Sequence, residues 1–120
     1  MAYTHKNLAV GGWQKLSFFE QLGNIGSEVG RAAKWQGKDE AFLGAAVSRA
    51  LELFDLTLED PRWRGRLREI ARAREVFCDA VLGGALYKST LQDLEHYFHT
   101  FAFRARYALL EKDQKLANSN

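Results

Sequence analysis

The stretch SFFEQLGNIGSEVGRAAKWQG, residues Ser17 to Gly37, decides how this chain folds. Ser17 and Glu20 have the spacing of a capping box, in which each side chain satisfies the backbone N–H of the other. Gly37 supplies the left-handed residue on which helices commonly stop. Between them Leu22, Ile25, Val29, Ala32 and Ala33 recur at steps of three and four, so a helix from about Phe18 to Gln36 has one apolar side. The same helix carries Gly23, Gly26 and Gly30, each costing about 1 kcal/mol against alanine in a helix interior. Three such losses on neighbouring positions predict that something approaches the backbone closely. Two occupants suit that face: an aromatic of the last helix, Phe101 or Phe103, or a second copy of the chain.

Three more helices follow. Asp39 is a fitting N-cap for a helix from Glu40 to about Leu58. Asp60 followed by Pro61 opens a third, because proline at the first helical position loses no needed N–H. That helix ends at Gly83-Gly84. Ser89 and Gln92 have capping-box spacing for a fourth, reaching about Leu116, with Leu91, Leu94, Phe98, Phe101, Ala105 and Leu109 on its core side. Short links between long amphipathic helices favour antiparallel neighbours, so the expected fold is an all-α, four-helix up-down bundle in one domain over residues 1–120. Residues 1–16 read as an N-terminal extension and 117–120 as a frayed tail. The tight joint at Asp60-Pro61 allows a hairpin or one bent rod.

Composition narrows the function classes. With 47% hydrophobic and 27% charged residues the chain is ordinary globular material. A formal net charge of +2 is too small by itself to argue for nucleic acid. There is no apolar run of ~18 residues, so no membrane span is expected. Met1 to Gly12 lacks the apolar core of a secretory signal. The lone Cys78 excludes an internal disulfide and fits a reducing, cytoplasmic setting; on an apolar stripe it reads as an inert thiol. Zinc cysteine pairs, phosphate-binding glycine loops and Gly-x-Ser-x-Gly elbows are missing from the sequence. His96 and His99 stand three apart on the fourth helix, without the repeated Glu-x-x-His pairs of di-iron bundles. No metal site and no cofactor is therefore expected.

Two arginines interrupt apolar stripes. Arg49 falls among Phe42, Ala45, Ala46, Leu53 and Leu56, and Arg74 among Trp63, Leu67, Ile70, Phe77, Cys78 and Val81. A guanidinium stays charged, so each needs a carboxylate, water or an anionic ligand. Glu28, on the flank of the first helix, could answer one of them, and Glu52 and Glu75 could bend in from their own helices. The two expectations are a register-fixing ion-pair network and an anion site formed by Arg49, Arg74, Glu28, Ser27 and Asn24. A second constellation is the arginine run of the third helix. Arg64, Arg68 and Arg72 stack on one face at a helical spacing where like charges repel by a few tenths of a kcal/mol per pair. A phosphate backbone or an acidic partner would relieve that repulsion. The plainer expectation is neutralisation by Glu52, Asp55, Glu59 and Asp60, packed antiparallel beside the run.

Asn24-Ile25-Gly26-Ser27-Glu28-Val29, Arg49 to Thr57, Asp60 and Arg66-Leu67-Arg68-Glu69 together resemble a family of small prokaryotic helical proteins with no assigned function. The likeness spans about residues 13 to 104 and implies one compact helical domain of bacterial or archaeal type. A looser resemblance is to the HEPN nucleases, helical bundles that usually dimerise and use an arginine followed within a few residues by histidine. Here no arginine precedes His96 or His99 at that distance, and no histidine follows Arg104 or Arg106. That likeness therefore implies a degenerate or binding-only member. The leading functional expectation is a non-enzymatic, homodimeric interaction module that engages a protein or nucleic acid through Arg64, Arg68 and Arg72. The alternative is an enzyme or ligand-binding bundle with a phosphate pocket at Arg49 and Arg74.

Overall fold

The helical signals of the sequence reappear in the computed structural model, which describes residues 11–118. Among them are α1 (Phe18–Trp35), α2 (Glu40–Leu58), α3 (Leu67–Val81) and α4 (Leu91–Asn118). No strand occurs among the described residues. Each boundary has a chemical cause. The Ser17–Glu20 capping box closes on both sides, at 3.0 and 3.1 Å. Asp39 accepts from the Phe42 N–H at 3.0 Å. Gly37, Gly83 and Gly84 take positive φ of 76°, 114° and 77° at the helix ends.

Two boundaries differ from expectation. The cap of α4 is the Thr90–Asp93 pair, with reciprocal 3.0 Å bonds, in place of Ser89–Gln92. The spacing is the same one residue later, and the carboxylate is the stronger acceptor. Between α2 and α3 lies a 3-10 segment, Pro61–Arg66, capped by Asp60 and broken at Trp63 (φ −106°, ψ 23°). The joint is therefore a hairpin and not a bent rod.

The helices run up, down, up and down. Arg49 meets Glu28 across α1 and α2, Phe54 meets Phe77 across α2 and α3, and Phe98 meets Gly26 across α4 and α1. Ile25, Val29, Phe54, Phe77 and Phe98 are fully buried where these seams converge. Burying an aliphatic or phenyl side chain of this kind contributes about 1.5–3 kcal/mol. Phe54 and Phe98 add an edge-on contact at 5.9 Å.

The glycines of α1 face α4 of the same chain. A Cβ on Gly26 would lie 2.5 Å from that of Phe98, and one on Gly23 would lie 3.1 Å from that of Ala102. One on Gly30 would lie 2.6 Å from a Glu95 carboxylate oxygen. The aromatic that needs the room is Phe98, not Phe101 or Phe103; Phe103 is 68% exposed. The face is covered by α4, so a second copy does not occupy it in this fold.

Two further expectations need correction. Trp13, assigned to an extension, is 1% exposed and belongs to the core; the rest of that extension before residue 11 lies outside the described residues. Leu109, assigned to the core side of α4, is 58% exposed. The cause is length. At 1.5 Å per residue α4 is about 42 Å long and α1 about 27 Å, so the apolar period of α4 outlives its partners. The molecule measures 55 × 29 × 27 Å accordingly.

Candidate partner-binding surface

Arg49 and Arg74 do not form one site. Arg49 Nε donates to Glu28 Oε2 at 3.1 Å across α1 and α2. Glu28, nearly buried, also accepts from Arg31 at 2.6 Å. Arg74 Nε donates to Asp55 Oδ1 at 3.0 Å across α2 and α3. Both guanidinium chains are about one-third exposed, at 32% and 35%, so they sit on the rims of the apolar stripes and not within them. A stripe read at ideal helical spacing places them too deep, because a long side chain at a seam carries its head group out to the edge. Asn24 and Ser27 turn back on their own helix, donating to the Glu20 and Gly23 carbonyls at 2.8 and 3.3 Å. The five residues expected around one anion thus divide between two seams and an exposed backbone.

The arginines of the α2–α3 hairpin and α3 fall into two groups. In the first, each has local work. Arg62 forks onto Asp60, with bonds of 2.7 to 3.2 Å, reaches the Leu16 carbonyl at 2.7 Å, and lies 4.4 Å over the Trp63 ring. Arg66 lies 4.3 Å over the Phe18 ring. Arg72 lies 5.4 Å over Tyr87 and stands 3.9 Å from Glu75, which in turn accepts from the Tyr87 hydroxyl at 2.9 Å. That bond to Glu75 pushes the Tyr87 phenol up from its ordinary value.

The second group is Arg64 and Arg68. Both are exposed, and among the described residues neither has a carboxylate within ion-pair distance. The expected stack needs one correction: Arg64 belongs to the 3-10 segment before the break, so only Arg68 and Arg72 are one α-helical turn apart. Gly65, between two arginines, is the sequence signal for that break. Arg68 and Arg72, with Glu69, Ala71 and Glu75, line an open hollow of about 600 Å³ on the outer side of α3. Two of the four acids expected to neutralise the run are engaged elsewhere: Asp55 holds Arg74 and Asp60 holds Arg62. Phe18, under Arg66, packs edge-on against Phe101 of α4 at 6.2 Å. Arg104 and Arg106, exposed just beyond Phe101, therefore leave the bundle at the same end as Arg64 and Arg68.

Sequence reasoning missed a buried polar knot at that end. Gln21, at 0% exposure, donates through Nε2 to the Trp13 carbonyl at 2.9 Å and to Asp60 at 3.1 Å. Its Oε1 accepts from the Trp63 indole at 2.9 Å. The Trp13 indole donates to Thr57 Oγ1 at 3.0 Å. The Arg62 bonds to Asp60 hold its carboxyl below the ordinary value, against the opposing effect of burial. All these groups are used within the knot, which is structural.

His96 and His99 are exposed, and His99 stands 3.8 Å from Glu95. Among the described residues no group of three or more His, Cys, Asp or Glu could hold a metal ion. Cys78 is half-buried with a free thiol. No helix of the described residues is long and apolar enough to cross a membrane. No family model, curated protein or solved structure matches the chain.

Proposed function

We propose that this protein is a non-enzymatic, homodimeric interaction module of the prokaryotic cytoplasm that docks an anionic macromolecule, nucleic acid or acidic protein, on the outer side of α3. The observation that carries the reading is the contrast among its arginines. Arg31, Arg49, Arg62 and Arg74 each have a carboxylate at 3.1 Å or less. Arg64 and Arg68 have none among the described residues, and Arg72 has a loose one at 3.9 Å. Arginines one helical turn apart, as Arg68 and Arg72 are, repel by a few tenths of a kcal/mol, which a polyanion relieves on binding. The occupied state of Arg49 and Arg74 takes away the support for a phosphate pocket between them.

The test is retention of the full chain on a polynucleotide column and on a polyglutamate column at low salt. Arg64→Gln with Arg68→Gln and Arg72→Gln is expected to elute at distinctly lower salt, since each lost phosphate contact removes about one counterion from the salt dependence. Preference for one column names the class of partner. Equal elution of variant and natural chain on both columns would end the proposal.

A further inference from the structure

We propose that two copies of the chain pair antiparallel through the overhanging half of α4, along the face of Phe103, Tyr107 and Leu110. The proposal rests on the homodimer part of the reading above and is independent of the arginines of α3.

Beyond Phe101 the helix leaves its bundle: every residue of 106–118 is exposed. The change of character is on the outer face. Upstream, the side opposite the core-facing Phe98 carries Gln92, His96 and His99, all polar and exposed. Continued at 100° per residue, that same side becomes Phe103, Tyr107 and Leu110, at 68, 55 and 65% exposure. The Phe103 and Tyr107 rings stack at 6.4 Å. This face points away from the bundle, and no other described helix of the same chain covers it. A helix end of about 20 Å standing clear of the other described helices is marginal in water, and an external partner would stabilise it.

Charge selects a second copy as that partner. Phe103, Tyr107, Leu110 and Gln114 alternate at steps of four and three, the seam of a coiled coil. Arg104 and Glu111 flank the seam on one side, Arg106 and Asp113 on the other. Each flank runs from base to acid away from the bundle. Set two such helices antiparallel with Tyr107 against Leu110 of the second copy, and Phe103 falls against Gln114. Each flank then meets its own reverse: Arg104 faces Glu111 of the second copy, and Arg106 faces Asp113. The two-fold axis repeats both pairs, making the contact self-complementary. A parallel pair opposes only Arg106 to Glu111 and lays two basic bundle ends side by side.

The experiment uses the full chain in sedimentation or light scattering at high micromolar concentration. The natural chain is expected at twice the 13.6 kDa of one copy. Arg104→Glu with Arg106→Glu, and separately Glu111→Arg with Asp113→Arg, should each give the single-chain mass, with the helical circular dichroism of the bundle kept and at most the share of the overhang lost. An equal mixture of the two should restore the doubled mass. For the register, Tyr107→Cys mixed with Leu110→Cys, both in a Cys78→Ser background, should cross-link faster than either alone. A natural chain that stays single, a doubled mass that survives both charge reversals, or faster self-linking of Tyr107→Cys would each overturn the proposal. The Arg64, Arg68 and Arg72 glutamine variant should keep the doubled mass, so failure of the polyanion reading and failure of this one are read separately.

Discussion

The two ends of this bundle's charge chemistry are opposites, although they lie within a few turns of one another. In the knot around Gln21 and Asp60, every named donor has an acceptor and Asp60 is 1% exposed. In the 3-10 segment and the first turn of α3, Arg64 and Arg68 lie open without an acid in ion-pair distance among the described residues. Both regions draw on the same hairpin, Asp60 to Arg68. The difference teaches that arginine content alone says little. What matters is which guanidinium a neighbouring helix has already claimed: a claimed one fixes geometry, and an unclaimed one is free for recognition.

The largest loss of stability is expected at the claimed end. Asp60→Ala leaves Gln21 and the Arg62 fork without their acceptor, and because Arg62 is 39% exposed and keeps some water the expected loss is about 2–3 kcal/mol in chemical denaturation. A loss under about half a kcal/mol would mean that the knot is replaceable by water. Next comes the glycine seam, where one substitution should have two signs. Gly26→Ala drives a methyl to 2.5 Å from the Phe98 Cβ and should cost about 1–2 kcal/mol even after its gain in helix propensity. Gly44→Ala meets nothing within 4 Å on α2 and should stabilise by up to about 1 kcal/mol. Thermal unfolding of the two variants side by side decides it.

Acid should distinguish the regions more gently. The folded carboxyl of Asp60 is depressed, so its contribution is present above the unfolded value of about 3.9 and is lost as pH falls through the lower folded value. Denaturant midpoints should therefore drop below about pH 4, and Asp60→Asn should flatten that drop. Smallest of all, Arg64→Gln with Arg68→Gln should shift stability by less than about 0.5 kcal/mol, since neither holds a partner in the fold. A larger loss would move these arginines into the claimed group.

Much of the architecture was legible because it is written in local chemistry. Ser17–Glu20, Asp39, Gly37 and Asp60-Pro61 announce helix ends within a few residues, and the apolar period does the rest. What escaped depends on distance in three dimensions. Nothing local marks Gln21 as the centre of a knot, because Asp60 and Trp63 lie about forty residues away along the chain and Trp13 comes from a different segment. The depth of Arg49 and Arg74 was misjudged because spacing gives the direction of a Cα–Cβ bond, not the end of a long side chain. Leu109 was misjudged because a period does not reveal where the neighbouring helices stop.

The three tryptophans make the molecule its own optical gauge. Trp13 and Trp63 are both tied by hydrogen bonds into the knot at one end, while Trp35 lies at the far end of α1, 4.8 Å from the Phe42 ring. Replacing Trp35 with phenylalanine leaves ultraviolet emission that comes from one pole alone; replacing Trp13 and Trp63 leaves the other. Loosening of either pole can thus be watched by colour, without attaching a dye.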